Sequence, residues 1–279
     1  GIYMEVKSAA EQLFFTTLRI DTIDNLGKKG SGTGFICNHT YAGKEYPFII
    51  TNKHVIKNAV KGGISFIKKD ADKPKLGDYA RIEIDDFENN WFGHEDNNVD
   101  IAIYPLLPLE IYINELGIEI FYKTIPTSLI PYNIKMDEID AIEDIIFIGY
   151  PNGIWDSKNY TPISRKGTTA TPLNIDYEGQ KKFLIDASVF GGSSGSPVFI
   201  YNSGVYSTKN GPAMSGTKIY FVGVISSVYY KDEFNEIISI PIPTDNKTMA
   251  VGKQMIDLGV VFKSNTVVEA IEQFIDKQP

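Results

Sequence analysis

The sequence predicts an all-β fold in two halves, with a helix near each end. Three observations carry this reading. Short β-branched or aromatic runs alternate with Gly, Asn, Asp and Pro clusters; a proline-bearing stretch interrupts the series; and helical spacing of apolar residues appears only near the ends. A chain of 279 residues can bury a sizeable core without covalent staples.

In residues 5–18, Ala9, Ala10, Leu13, Phe14 and Leu18 fall at roughly helical spacing, so a short amphipathic helix is expected there. Runs at 34–37, 47–51, 63–67, 80–84 and 99–104 then read as strands of a first half, spaced closely as in a barrel or sandwich. Between Pro105 and Pro131, prolines at 105, 108, 126 and 131 mark an extended connection. A second series of strands follows at 145–148, 182–185, 197–201, 219–227, 237–240 and 259–262. Within it the Ser/Gly/Asn-rich tract 201–218 reads as a long exposed hairpin loop. Thr266 and Glu269 have capping-box spacing ahead of Val267, Val268, Ala270, Ile271, Phe274 and Ile275, which predicts a closing helix. The chain thus divides into a helical extension (1–19), a first half (20–104), a connection (105–136), a second half (137–263) and a C-terminal helix (264–279).

Hydrophobic residues at 43% and charged residues at 22% give the balance of a folded soluble protein. The formal charge of −8 disfavours a nucleic-acid backbone or an anionic membrane as partner, since both require concentrated Lys and Arg. The first seven residues lack the apolar run of a signal peptide, and no stretch of 18 or more apolar residues suggests a membrane span. Cys37 stands alone, which excludes an internal disulfide and a four-cysteine metal site and fits a reducing, cytoplasmic compartment. No cofactor and no metal is expected.

The segment most informative about chemistry is Gly191-Gly192-Ser193-Ser194-Gly195-Ser196-Pro197, followed by apolar Val198-Phe199-Ile200. Its glycines allow a tight turn, and successive backbone N–H groups in such a turn can converge on one oxyanion, so a serine held there is a candidate nucleophile. A serine needs a base, and the chain has three histidines, His39, His54 and His94. His54 follows the apolar run 47–51 and is expected at the end of a buried strand, where rigid scaffold presents it to a cleft. His39 and His94 lie in polar stretches and are expected on the surface. Asp100 precedes Ile101-Ala102-Ile103, so its carboxylate passes from an exposed loop toward a buried strand. A carboxylate there is costly without a hydrogen-bonded partner, and a histidine would supply one.

The order His54, Asp100, Ser194 along the chain is that of the chymotrypsin-like enzymes. Thr51-Asn52-Lys53-His54-Val55-Ile56, Val99-Asp100-Ile101-Ala102-Ile103 and Gly192-Ser193-Ser194-Gly195-Ser196-Pro197 resemble that family's histidine, aspartate and serine motifs. Gly30-Ser31-Gly32-Thr33-Gly34-Phe35 resembles the start of its first barrel, and Val222-Gly223-Val224-Ile225-Ser226 its substrate-binding strand. Phe147-Ile148-Gly149-Tyr150-Pro151-Asn152-Gly153 is similar to a turn in the protease domain of bacterial high-temperature-requirement proteases. The resemblance spans about residues 20–277.

It implies two six-stranded antiparallel β-barrels and a serine endopeptidase acting on protein or peptide substrates. By position, Ser194 would be the nucleophile, His54 the base and then acid, and Asp100 the orienting carboxylate. The N–H groups of Gly192 and Ser194 would form the oxyanion hole. Ser188 would lie on the floor of the primary substrate pocket, and Ser226, Ser227 and Val228 along its side, Ser226 beside Asp100. With no charge on the floor and Val228 at a wall position often held by glycine, the resemblance implies small or medium aliphatic side chains before the scissile bond. Many family members carry aspartate immediately before the nucleophile to receive a newly cut N-terminus; here Ser193 stands there. The oxyanion loop is therefore expected to be always formed or to be controlled by a regulatory protein partner.

Gly191-Gly192-Ser193-Ser194-Gly195 also fits a Gly-x-Ser-x-Gly elbow with Ser193 as nucleophile, but that fold needs its histidine after the serine and all three precede it. Asp96-x-Asn98-x-Asp100 resembles the opening of a calcium loop, yet Ile101 stands where glycine is needed. From a different functional class, a catalytically silent version of the same fold could bind an extended peptide by strand addition.

Overall fold

A computed structural model of the chain describes residues 4–132, 135–231, 237–242 and 254–278. Helix α1 covers only Ala9–Leu13, capped by Ser8, whose hydroxyl accepts from the Glu11 N–H while the Glu11 carboxylate accepts from the Ser8 N–H. The helix expected over 5–18 is cut short because Thr17 already pairs with Phe35. From there β1 (Thr17–Asp24), β2 (Lys29–Tyr41), β3 (Lys44–Thr51), the one-turn helix α2 (Lys53–Ile56), β4 (Ala59–Asp70), β5 (Lys73–Asp85), β6 (Phe92–Gly93) and β7 (Ala102–Pro105) follow. The sheet runs β5-β4-β1-β2-β3-β7-β6, and β8 (Ile125–Pro126) adds parallel to β2. Among the described residues this first sheet therefore has eight strands rather than six, the extra ones being two-residue pieces.

The connection is not wholly extended. It contains helix α3 (Leu106–Glu115), which buries Leu106, Leu109 and Ile113. Pro105 is its N-cap and Pro108 lies in its first turn, where backbone N–H groups have no intrahelical acceptor, so neither proline breaks it.

The second half comprises β9 (Asp144–Gly149), β10 (Ile163–Thr169), β11 (Lys182–Asp186), β12 (Pro197–Tyr206), β13 (Met214–Lys231), β14 (Ile237–Pro241) and β15 (Gln254–Lys263). Antiparallel pairings run β12-β9-β10-β11-β15-β13 and return from β13 to β12, closing a ring of six, with β14 added on β13. The tract 201–218 is a hairpin as expected, but its arms stay paired as far as Tyr206 and Met214, leaving only 207–213 as loop.

Alternation along the central strands explains how the halves join. In β2 and β3, Ile36 and Ile49 point into the first core, whereas Phe35, Cys37, Phe48 and Ile50 belong to a second cluster shared with Ile148, Phe199, Phe221 and Phe262 of the other half. Such strands are buried on both faces and read as continuous apolar runs. A third cluster, including Phe147, Phe183, Val198, Val222 and Val261, fills the second half. Helix α4 (Asn265–Asp276) buries Val267, Ala270 and Ile271 in the shared cluster. Its predicted capping box does not form: Ser264 is the N-cap, the Thr266 hydroxyl donates to the Lys263 carbonyl, and Glu269 is drawn away to His94 and Lys181.

Candidate active site

His54 is carried by α2 rather than by a strand end. The turn is pinned from both sides. The Asn52 side chain donates to the Asp100 carbonyl at 2.8 Å, and Val55 and Ile56 are buried in the first core. Asp100 lies two residues before β7 and is itself only part-exposed. One carboxylate oxygen accepts from the His54 backbone N–H at 3.1 Å; the other lies 2.6 Å from His54 Nδ1 and accepts from the Ser226 hydroxyl at 2.6 Å. Three donors compensate the lost hydration of the carboxylate. Because the carboxylate can only accept, the proton belongs on Nδ1, which leaves Nε2 as acceptor toward Ser194 Oγ at 3.0 Å.

Ser194, fully buried, is set by a turn that only glycine permits at two positions. Gly192 has φ +84° and Gly195 φ +87°; a Cβ at Gly192 would strike the Tyr150 carbonyl, and one at Gly195 the Thr33 carbonyl. The turn is tied to both halves: the Ser194 carbonyl accepts from the Thr33 N–H at 2.9 Å, and the Gly195 N–H donates to the Ile225 carbonyl at 2.9 Å. Among the described residues, neither the Gly192 nor the Ser194 N–H meets an acceptor. The Ser193 hydroxyl, in a residue 1% exposed, likewise finds no partner among them.

A cleft of about 640 Å³ opens between the halves, with His54, Asp100, Ser226, Ser227 and Trp91 on its walls. Ser226 lies beside Asp100. Ser188 and Val228 do not line this cleft; Val228 is 1% exposed and sits in the core of the second half with Ile185, Val189 and Ile242.

The other two histidines are not surface residues. His39 is 8% exposed, with Nδ1 2.9 Å from Thr127 Oγ1 and Nε2 3.1 Å from Glu272. His94 is 5% exposed; its Nδ1 accepts from the Asp96 N–H, so Nε2 carries the proton and donates to Glu269 at 3.1 Å. Both pin α4 to the first half. The Glu269 carboxyl is held below the usual carboxylate range, first by the His94 hydrogen bond and then, against the opposing effect of burial, by Lys181. Burial pushes the Cys37 thiol well above its ordinary value, which leaves it an inert core side chain. Among the described residues, no cluster of His, Cys, Asp and Glu could hold a metal ion, and no helix is long and apolar enough to cross a membrane. Sequence reasoning missed Asn52 and Thr33, whose partners lie far away in the chain.

A family model described as the trypsin-like peptidase domain matches residues 32–205. No curated protein matches the chain. Among solved structures, a variant of the HtrA-type protease AlgW with tripeptide aligns at 12% identity and a TM-score of 0.50, covering 98% of this chain and 64% of that one. The serine endoprotease from Yersinia pestis aligns at 16% and 0.48, covering 98% and 69%, and an HL collagenase at 12% and 0.47, covering 95% of both. This chain therefore spans less than two thirds of the AlgW structure, and at these identities the likeness concerns the fold.

Proposed function

Because the chain belongs to the trypsin-like peptidase domain family, we propose that it is a serine endopeptidase in which Ser194, His54 and Asp100 act as the triad. The observation that carries this is the unbroken hydrogen-bond chain from Ser226 through Asp100 and His54 to Ser194. In this reading Ser194 Oγ attacks the scissile carbonyl of a protein or peptide substrate while His54 Nε2 takes its proton. Asp100 holds the productive tautomer and stabilises the imidazolium that forms. The N–H groups of Gly192 and Ser194 receive the developing oxyanion. His54 then returns the proton to the leaving amine, an acyl group remains on Ser194, and water activated by the same imidazole releases it. On the acyl side the substrate lies against Ser226 and Ser227, which line the cleft beside Asp100.

A fluorophosphonate probe tests the reading. Labelling of the wild-type chain, absent in Ser194→Ala together with loss of peptide cleavage, is the expected result. Cleavage that survives Ser194→Ala would refute it, and a chain that takes no label at any pH from 5 to 9 would be a silent peptide-binding version of the fold.

A further inference from the structure

We propose that Thr33 is the positioning residue that holds the oxyanion loop in working shape; the proposal rests on the peptidase reading above. Thr33 lies in β2 of the first half and is fully buried, yet every polar group it carries is directed at the catalytic apparatus. Its hydroxyl donates to the Gly192 carbonyl at 2.9 Å and accepts from the Tyr150 N–H at 3.0 Å. Since Tyr150 offers only a donor there, the direction of both bonds is fixed. Its own N–H donates to the Ser194 carbonyl at 2.9 Å, and its carbonyl accepts from the Thr51 hydroxyl, three residues before His54, at 2.8 Å.

The consequence follows from trans peptide geometry, in which a carbonyl and the N–H of the next residue point in opposite directions. The Gly191 carbonyl is held by the Asn152 N–H, so the Gly192 N–H is turned the other way; the Ser193 carbonyl is held by the Ser196 N–H, so the Ser194 N–H is turned the other way. Between these two planes lies the Gly192–Ser193 peptide, and its carbonyl is the one that Thr33 takes. Through Tyr150 the same hydroxyl also anchors the turn that presents Asn152. Without it, a buried carbonyl loses its donor, and a glycine at φ +84° offers little resistance to rotation of the following plane. The neighbouring Ser193 hydroxyl has no partner among the described residues, so it takes no part in this anchoring.

The test compares Thr33→Val, Thr33→Ala and Thr33→Ser in the full chain, reading kcat and KM on a peptide substrate, the rate of fluorophosphonate labelling, and the thermal midpoint. Removing one oxyanion donor outright costs about 100- to 1,000-fold in kcat. Displacing the loop that presents two of them is expected to cost about 10- to 100-fold for the Val and Ala variants, with KM changed less than about threefold and labelling slowed in parallel. Thr33→Ser, which keeps the hydroxyl, should return to within about threefold of wild type on the same basis. Wild-type kcat in either hydroxyl-less variant, or a Ser variant no better than Val, would overturn the proposal. If Val and Ala both fail to fold while Ser folds, Thr33 is a strut of the fold and the proposal also falls. Failure of the peptidase reading looks different: the wild-type chain itself takes no label, and the proposal goes with it.

Discussion

Replacing Asp100 with Asn changes one atom and reverses the hydrogen-bond logic around His54. The backbone N–H of His54 donates to one Asp100 oxygen at 3.1 Å, and that donor cannot change sign. The amide oxygen of Asn must therefore remain there, which places the amide NH₂ 2.6 Å from Nδ1, where a carboxylate oxygen had been. Nδ1 must then accept, the ring proton moves to Nε2, and the nitrogen 3.0 Å from Ser194 Oγ can no longer take the serine proton. The Ser226 hydroxyl can rotate to accept from the NH₂, so the fold has no reason to collapse. Loss of the productive tautomer in a triad of this type costs about 10,000-fold in kcat, or about 5.4 kcal/mol at 1.36 kcal/mol per decade. The assay is initial-rate hydrolysis of a peptide substrate, with Ser194→Ala as the floor and a thermal melt as the control for folding. A folded Asp100→Asn protein within about tenfold of wild type would show that Asp100 does not set the state of His54.

Ser226→Ala removes one donor to the same carboxylate; a hydrogen bond to a charged group is worth about 1.5 kcal/mol or more, so kcat should fall about tenfold with KM unchanged, measured on the same substrate. Phe221→Ala opens a cavity where Phe221 meets Phe35 edge-on at a centroid distance of 5.4 Å and Phe199 at 5.8 Å. It should cost about 3–5 kcal/mol in urea unfolding, with one transition for both halves. Two separated transitions would contradict a shared core. Glu269→Ala should cost about 1 kcal/mol at pH 7 by stranding the buried His94 Nε2–H. Since the Glu269 carboxyl is held below its ordinary range in the folded chain, its contribution is complete above that range and disappears as pH falls through the lowered value. Thermal midpoints of wild type and variant should therefore converge as the pH falls below the usual carboxylate range.

Local chemistry made much of this legible. The strand runs 34–37, 47–51, 197–201 and 219–227 all fall within observed strands, because residues buried on both faces leave an apolar signature that does not depend on the partner. The order of His54, Asp100 and Ser194 anticipated that they would meet, and they do. Features decided by distant partners were not legible. Strand β10, Ile-Ser-Arg-Lys-Gly-Thr-Thr, is mostly polar and becomes a strand by lying between β9 and β11. His39 and His94 sit in polar neighbourhoods but are buried by a helix more than 170 residues away, against Glu272 and Glu269. Val228 follows two serines that line the cleft, and only the register of β13 against β14 and β15 shows its side chain belonging to the core. Thr33 reads as one more small residue in a glycine-rich stretch until the loop it holds is seen beside it.

The placement of Thr33 also explains why the turn around Ser194 needs glycine where it does. The carbonyl of Thr33 stands where a Cβ on Gly195 would project, and its N–H and hydroxyl take the carbonyls of Ser194 and Gly192. A first-half strand therefore forms one wall of a second-half turn at backbone contact distance. Two residues along the same strand, Phe35 meets Phe221, and Phe221 meets Phe199, five residues past Ser194. Apolar packing and the polar clamp thus both start from β2, two residues apart: Phe35 reaches β12 through Phe221 of β13, while Thr33 holds the turn that leads into β12. Close packing between the halves sets the approach of these strands, and that approach sets whether the Thr33 hydroxyl reaches the Gly192 carbonyl. Loosening the shared core should consequently disable the oxyanion loop before it unfolds the chain, because a hydrogen bond of 2.9 Å tolerates less displacement than a hydrophobic contact.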